Sequence, residues 1–224
     1  MKILLFGATG MVGDGVLRRL IVAPEVEKIV AVSRKELTTH NAKVSVVIEL
    51  DMFEFQNLQM LEGFDACFFC LGASAVGMTE TEYRHITLDL TVAVARQLLP
   101  LNPTMIFEFI SGGRADLNAK QMWSRVKAET ENAVLKIGFH DSYALRPGYI
   151  QPMRGTASRY RFARWIHALV APIYPALQKR LDRAVTSTDL LADAMLRLAS
   201  NGNVKKILSN SELNNLARAK GNST

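Results

Sequence analysis

Three glycines spaced i, i+3 and i+6 stand in Gly7-Ala8-Thr9-Gly10-Met11-Val12-Gly13, directly after the apolar run Lys2-Ile3-Leu4-Leu5-Phe6. That spacing lets a buried strand turn tightly into a helix. It also lets the backbone approach a diphosphate, whose charge is met by free amide N–H groups and the positive end of the helix. Glycine in such a turn can serve packing alone, but the strand before it and the amphipathic run after it are the context in which the loop holds a nucleotide cofactor. The remaining reactive side chains are less organised. Cys67 and Cys70 lie in Asp65-Ala66-Cys67-Phe68-Phe69-Cys70-Leu71, which reads as a buried strand. On a strand, i and i+3 point to opposite faces, so core filling fits this pair better than a redox or metal clip. His40, His85, His140 and His167 lack metal-ligand spacing, and no metal is expected.

The elements that would position the glycine loop alternate along the chain. Strands are expected at Ile3–Phe6, Lys28–Ser33, Val44–Glu49, Asp65–Leu71, Thr104–Ile110 and Asp141–Leu145. Helical runs lie between them: Met11–Val22, Phe53–Leu61, Glu80–Leu99 stopped by Pro100, and Lys120–Ile137 closed by Gly138. Val12, Val16, Leu17, Leu20 and Ile21 share one face of the first. Beyond Gly148 the sequence suggests a basic, aromatic helical stretch, a helix over Ser187–Ala199, a short strand over Lys205–Ser209 and a final helix. The expected fold is α/β, a Rossmann-type doubly wound parallel sheet with a small C-terminal extension.

At 224 residues and 24.8 kDa, with 49% apolar and 21% charged residues, the chain can build a sizeable core as one domain over 1–224. The apolar start is too short for a signal peptide, and Pro172 and Pro175 break the best apolar run, Ile166–Leu177, so no transmembrane segment and a cytoplasmic location are expected. The net charge of +6 is local. Residues 150–183 hold Arg154, Arg159, Arg161, Arg164, Lys179, Arg180 and Arg183 against Asp182 alone, which accounts for the whole excess.

The glycine loop, the strand end Cys70-Leu71-Gly72, a lysine-bearing helix and Arg146-Pro147-Gly148 together resemble the short-chain dehydrogenase/reductases. More closely, the chain resembles the atypical members grouped with NmrA-like and Tat-interacting-protein oxidoreductases. The resemblance covers nearly the whole chain. It implies that Gly7, Thr9, Gly10, Met11 and Val12 wrap the cofactor diphosphate, that Asp51 and Met52 bracket adenine, and that Leu71, Gly72 and Ala73 lie along the ribose side. Pro147, Gly148 and Tyr149 complete the implied cofactor wall. In that family the end of strand two selects the cofactor: a carboxylate suits the ribose diol of NAD and repels a 2′-phosphate. Here stand Ser33, Arg34 and Lys35, a hydroxyl and two cations, which favour NADP(H) over NAD(H), although a basic pair can also be a solvated loop.

The family's reaction uses Tyr-x-x-x-Lys on a helix, the lysine holding the nicotinamide ribose and the tyrosine giving the proton, with a serine orienting the carbonyl. This helix reads Trp123-Ser124-Arg125-Val126-Lys127: Lys127 matches, and the tyrosine position is Trp123. An indole N–H donates a hydrogen bond but delivers no proton at ordinary pH. Strand five ends Ile110-Ser111-Gly112, keeping Ser111 and lacking a second hydroxyl. Lys127 and Ser111 are therefore the candidate catalytic residues, Lys127 having a solvated helix lysine as its plain alternative. Tyr83 and Tyr149 could approach the site from loops, packing being the simpler role. Two functions lead: an NADPH-dependent reductase of flavins, quinones or similar acceptors, and a non-catalytic NADP(H) sensor or partner-binding protein of the NmrA type. A scaffold that binds no nucleotide ranks last, given the glycine loop. The basic, aromatic segment within 150–183 suits a small-molecule substrate or an acidic protein partner, or is a packed helix with a solvated cationic face. An anionic membrane surface ranks below these. No groove-reading motif accompanies the charge, which argues against nucleic acid.

Overall fold

The computed structural model describes residues 1–37, 39, 41–153 and 170–219. Strands β1 (Lys2–Phe6), β2 (Lys28–Ser33), β3 (Val44–Ile48), β4 (Ala66–Phe69), β5 (Ile106–Ile110), β6 (Asp141–Arg146) and β9 (Ile207–Ser209) form one all-parallel sheet in the order β3-β2-β1-β4-β5-β6-β9. The order reverses between β1 and β4, the switch point where a doubly wound sheet opens a crevice at its carboxyl edge. Strands β7 (Tyr149–Gln151) and β8 (Val185–Ser187) pair in parallel beside it. This pair was not anticipated from the sequence, being too short to carry a periodic signal.

Alternation along each strand sorts its side chains to two cores. Ile3, Leu5, Phe68, Ile110, Tyr143 and Leu145 pack under α1 (Met11–Ile21), α6 (Thr188–Asn201) and α7 (Asn210–Arg218). Leu4, Phe6, Phe69, Phe107 and Phe109 pack on the other face under α3 (Leu90–Leu98) and α4 (Met122–Leu135), where the phenylalanines form a row of ring contacts with centroids 5.1–6.3 Å apart. Cys67 lies in this second core and Cys70 packs against the first, so the two thiols sit on opposite faces of the sheet, as their spacing predicts.

Two helices differ from the sequence reading. The run Phe53–Leu61 forms only a 3-10 turn, Leu58–Leu61. Side chains take the N–H groups a helix would need: the Asp51 carboxylate accepts from Phe53 N at 2.8 Å, the Gln97 amide oxygen from Phe55 N at 2.9 Å, and the Glu49 carboxylate from Gln56 and Asn57. The run Glu80–Leu99 is α2 (Glu80–Arg84), a π turn over His85–Asp89, then α3. Thr79 and Glu82 form a reciprocal cap at its start. A further short helix, α5 (Tyr174–Arg180), carries Pro175 in its first turn. Among the described residues no helix is long and apolar enough to cross a membrane.

Candidate functional site

The strand register draws the candidate residues onto one line. Val47, Val32, Phe6, Phe69, Phe109 and Ala144 are successive cross-strand partners through β3, β2, β1, β4, β5 and β6. Each strand leaves the sheet within two residues of that row. Ser33, Gly7, Cys70, Ser111 and Arg146 therefore stand side by side along the carboxyl edge, although they are far apart in sequence.

At the centre, Gly7 has φ +85°, the left-handed region, and a Cβ there would lie 2.7 Å from the Cys70 carbonyl. Gly10 N donates to Gly7 O at 2.9 Å to close the turn. Gly13 lets α1 start hard against the loop, since a Cβ on it would come within 2.1 Å of Gly7 O. The first-turn N–H groups of Met11, Val12 and Gly13 have no acceptor within the helix, and Gly10 at the N-cap brings no side chain to them. Opposite, a Cβ on Gly72 would meet nothing within 4 Å. A loop packed tightly behind and open in front, with helix N–H groups directed outward, fits a diphosphate.

At the end of β2, Ser33 is buried and its Oγ accepts from Lys35 N at 3.2 Å, which fixes the turn that presents Arg34 and Lys35 to solvent. Among the described residues neither cation has an ion-pair partner, so both could meet a phosphate. Met52 departs from the pattern expected of an adenine bracket. Its side chain is buried in the aromatic core with Phe55 and Leu61, while its neighbour Asp51 is exposed. Leu71, Gly72 and Ala73 form the open loop after β4.

Helix α4 crosses the carboxyl end of β5 and places Trp123, Lys127 and Glu131 on one face at successive turns. Lys127 is 9% exposed; its Nζ donates to Ile110 O at 2.9 Å and lies 4.6 Å from the centre of the Phe109 ring. Burial pulls its pKa down to about 8, against a smaller opposite pull from Glu131. The next residue along the chain from Ile110 is Ser111, whose Oγ is buried and has no hydrogen-bond partner among the described residues. A Cβ on Gly112 would lie 3.8 Å from Cζ3 of Trp123. The indole therefore lies within van der Waals reach of the Gly112 position, so the Trp123 and Gly112 positions singled out in the sequence are neighbours in space.

Further residues hold this arrangement. The Arg146 guanidinium grips the Glu131 carboxylate with two hydrogen bonds, 2.8 and 2.5 Å, and Glu131 is 1% exposed. Pro147 is buried, and its carbonyl accepts from Gly113 N at 2.9 Å; Gly148 N donates to the buried Asn210 side chain at 2.7 Å. The Tyr149 hydroxyl donates to Gln151 at 2.9 Å, and burial pushes its phenol up. Glu131 was missed in the sequence, though its position one turn after Lys127 signals it; Asn210 carries no such signal, since only the fold brings it to Gly148. The basic, aromatic stretch within 158–169 lies outside the described residues.

Comparison with known proteins agrees with this geometry. Residues 2–92 match the family model described as the NAD binding domain of semialdehyde dehydrogenase. The chain is 30% identical over 161 residues to the protein fmp52, mitochondrial, of Emericella nidulans, with 68% of each chain covered. It is 26% identical over 201 residues to fmp52-1, mitochondrial, of Aspergillus terreus, covering 86% of this chain and 84% of that one. Among solved structures, a double mutant of DesIV, the dTDP-glucose 4,6-dehydratase of Streptomyces venezuelae with NAD bound, superposes at a TM-score of 0.69 and 12% identity, over 97% of this chain and 80% of that one. The fold is thus that of the NAD(P)-binding dehydrogenases and reductases. The expectation of a cytoplasmic location is overturned, because these curated relatives are named mitochondrial.

Proposed function

Since the chain belongs to the fmp52 family and carries this dinucleotide-binding fold, we propose that it is an NADP(H)-dependent reductase of the atypical short-chain type, acting on flavin, quinone or similar conjugated acceptors. The observation that carries the reading is the combination at α4: Lys127 and Ser111 are kept at the end of β5, while Trp123 fills the place of the acid over Gly112.

Gly7, Thr9, Gly10, Met11 and Val12 would hold the diphosphate and Arg34 with Lys35 the 2′-phosphate, with Ser33 bracing their turn. Asp51 and the Met52 backbone would border the adenine, Leu71, Gly72 and Ala73 one side of the ribose, and Pro147, Gly148 and Tyr149 the far wall. The cofactor, when bound, supplies hydride. Lys127 would orient it from its position on Ile110 O, and the Ser111 hydroxyl, without a partner among the described residues, would be available to bond the acceptor. Trp123 presents a flat apolar face, which suits a conjugated ring better than an aliphatic carbonyl. Such acceptors stabilise added electrons within their own rings and so need less acid assistance than a simple ketone.

The test is NADPH oxidation across flavins, quinones and aldehydes, with NADPH binding measured in parallel. Turnover on the conjugated acceptors and little on aldehydes is expected; binding without turnover on any of them contradicts the reading. That result would favour a non-catalytic NADP(H) sensor, which the same Trp123 supports. Aldehyde reduction gained by the Trp123→Tyr, Gly112→Ser double variant from an inactive parent would then complete the case for the sensor.

A further inference from the structure

Hydride delivery to a ring leaves a proton to be supplied, and the indole at Trp123 has none to give. We propose that the Lys127 ammonium is itself the proton donor, replacing the missing tyrosine from one turn further along the same helix face. The inference rests on the reductase reading above.

The geometry supports it in three ways. One Nζ–H is spent on Ile110 O and the Phe109 ring steadies the cation; among the described residues no other acceptor takes Nζ, so its two further N–H bonds can be shared between the cofactor ribose and a reactant. Ser111 is the residue after that carbonyl, and its buried Oγ has no partner among the described residues, so donor and orienting hydroxyl are tied to adjacent residues of the backbone. The competing acids are poorly suited: burial pushes the phenols of Tyr83 and Tyr149 and the thiol of Cys70 upward.

The charges around Lys127 come from each packed element. Glu131 on α4 favours the ammonium, but Arg146 of β6 holds it in a bidentate pair. Glu80 and Arg84 of α2 are engaged with Arg125 and Glu129 of α4. Glu108 of β5 alternates to the opposite face of the sheet. Burial therefore dominates, and a lysine at about 8 is charged at neutral pH yet releases its proton readily.

The step balances. Hydride carries two electrons and one hydrogen from NADPH to the acceptor; one N–H bond of Lys127 breaks, its electron pair stays on Nζ, and the proton forms a bond to the acceptor's oxygen or nitrogen. The amine regains its proton from water, and a quinone leaves as the hydroquinone.

The experiment uses the full chain and two readouts. Carbon-13 NMR of ε-labelled lysine, with Lys127 assigned by loss of its signal in Lys127→Arg, is expected to show a titration midpoint near 8. Turnover with NADPH and a quinone should fall about tenfold per pH unit above that midpoint. Lys127→Arg, which keeps the charge but not a labile proton, should lower kcat about 100-fold or more while still binding NADPH. A Lys127→Arg rate within a few-fold of the parent, or a Lys127 midpoint in the ordinary lysine range, overturns the proposal while leaving an active reductase. Absence of turnover in the parent overturns the reductase reading and this inference together.

Discussion

Glu108 stands in the middle of β5, between Phe68 and Tyr143, with both carboxyl oxygens buried and without a partner among the described residues. Burial pushes its pKa well above the usual carboxylate range. Above about pH 4.5 the unfolded chain gives up this proton while the folded chain keeps it. Stability from this group is therefore complete below the unfolded pKa and is lost as pH rises towards the folded one. Glu108→Met should stabilise the protein, by about 1–3 kcal/mol at pH 8 and by less at pH 5. Urea unfolding at both values checks this; an unchanged difference between them would contradict it. Lys127, buried on the other side of the same strand, keeps its cation because a carbonyl, a ring and Glu131 compensate it. Glu108 has no such support.

At the scale of elements, the β1 loop and α1 are fixed by space as much as by conformation. A Cβ on Gly13 would lie 2.1 Å from Gly7 O, so Gly13→Ala must separate helix from loop. The expected cost is about 1–3 kcal/mol, or roughly 2–4 °C of melting temperature per kcal/mol at this chain length. Gly112→Ala, with its nearest neighbour at 3.8 Å, should melt with the parent. Equal melting of all three proteins in a thermal scan would contradict the packing argument. The strands, the glycine turn and most helices were legible because apolar runs and turn residues are local signals. The loop after β3 was not: Gln97, 42 positions away, takes the N–H of Phe55, and Glu49 takes two more. The candidate site was legible by residue but not by contact. Trp123 and Gly112 each stand out in the sequence, yet only the crossing of α4 over the end of β5 brings the ring into van der Waals reach of the glycine position. Met52 went the other way, its side chain drawn into the core by Phe55 and Leu61.

Across the whole molecule, a parallel sheet with a single reversal of strand order gathers the turns after β1, β2, β4, β5 and β6 at one edge. The half-buried ion pairs Arg84–Glu129 and Arg125–Glu80 tie α2 to α4, joining the loop after β4 to the helix that bears Trp123 and Lys127. Cofactor choice belongs to this scale, because Arg34 and Lys35 reach a ligand only if the same edge seats its diphosphate at Gly7–Val12. Isothermal titration of the full chain with NADPH and with NADH tests that claim most directly. NADPH should bind at least about tenfold more tightly, a difference of about 1.4 kcal/mol, and the Arg34→Ala, Lys35→Ala double variant should bring its affinity down to that of NADH. Equal affinities in the parent, or binding of neither nucleotide, would contradict the account.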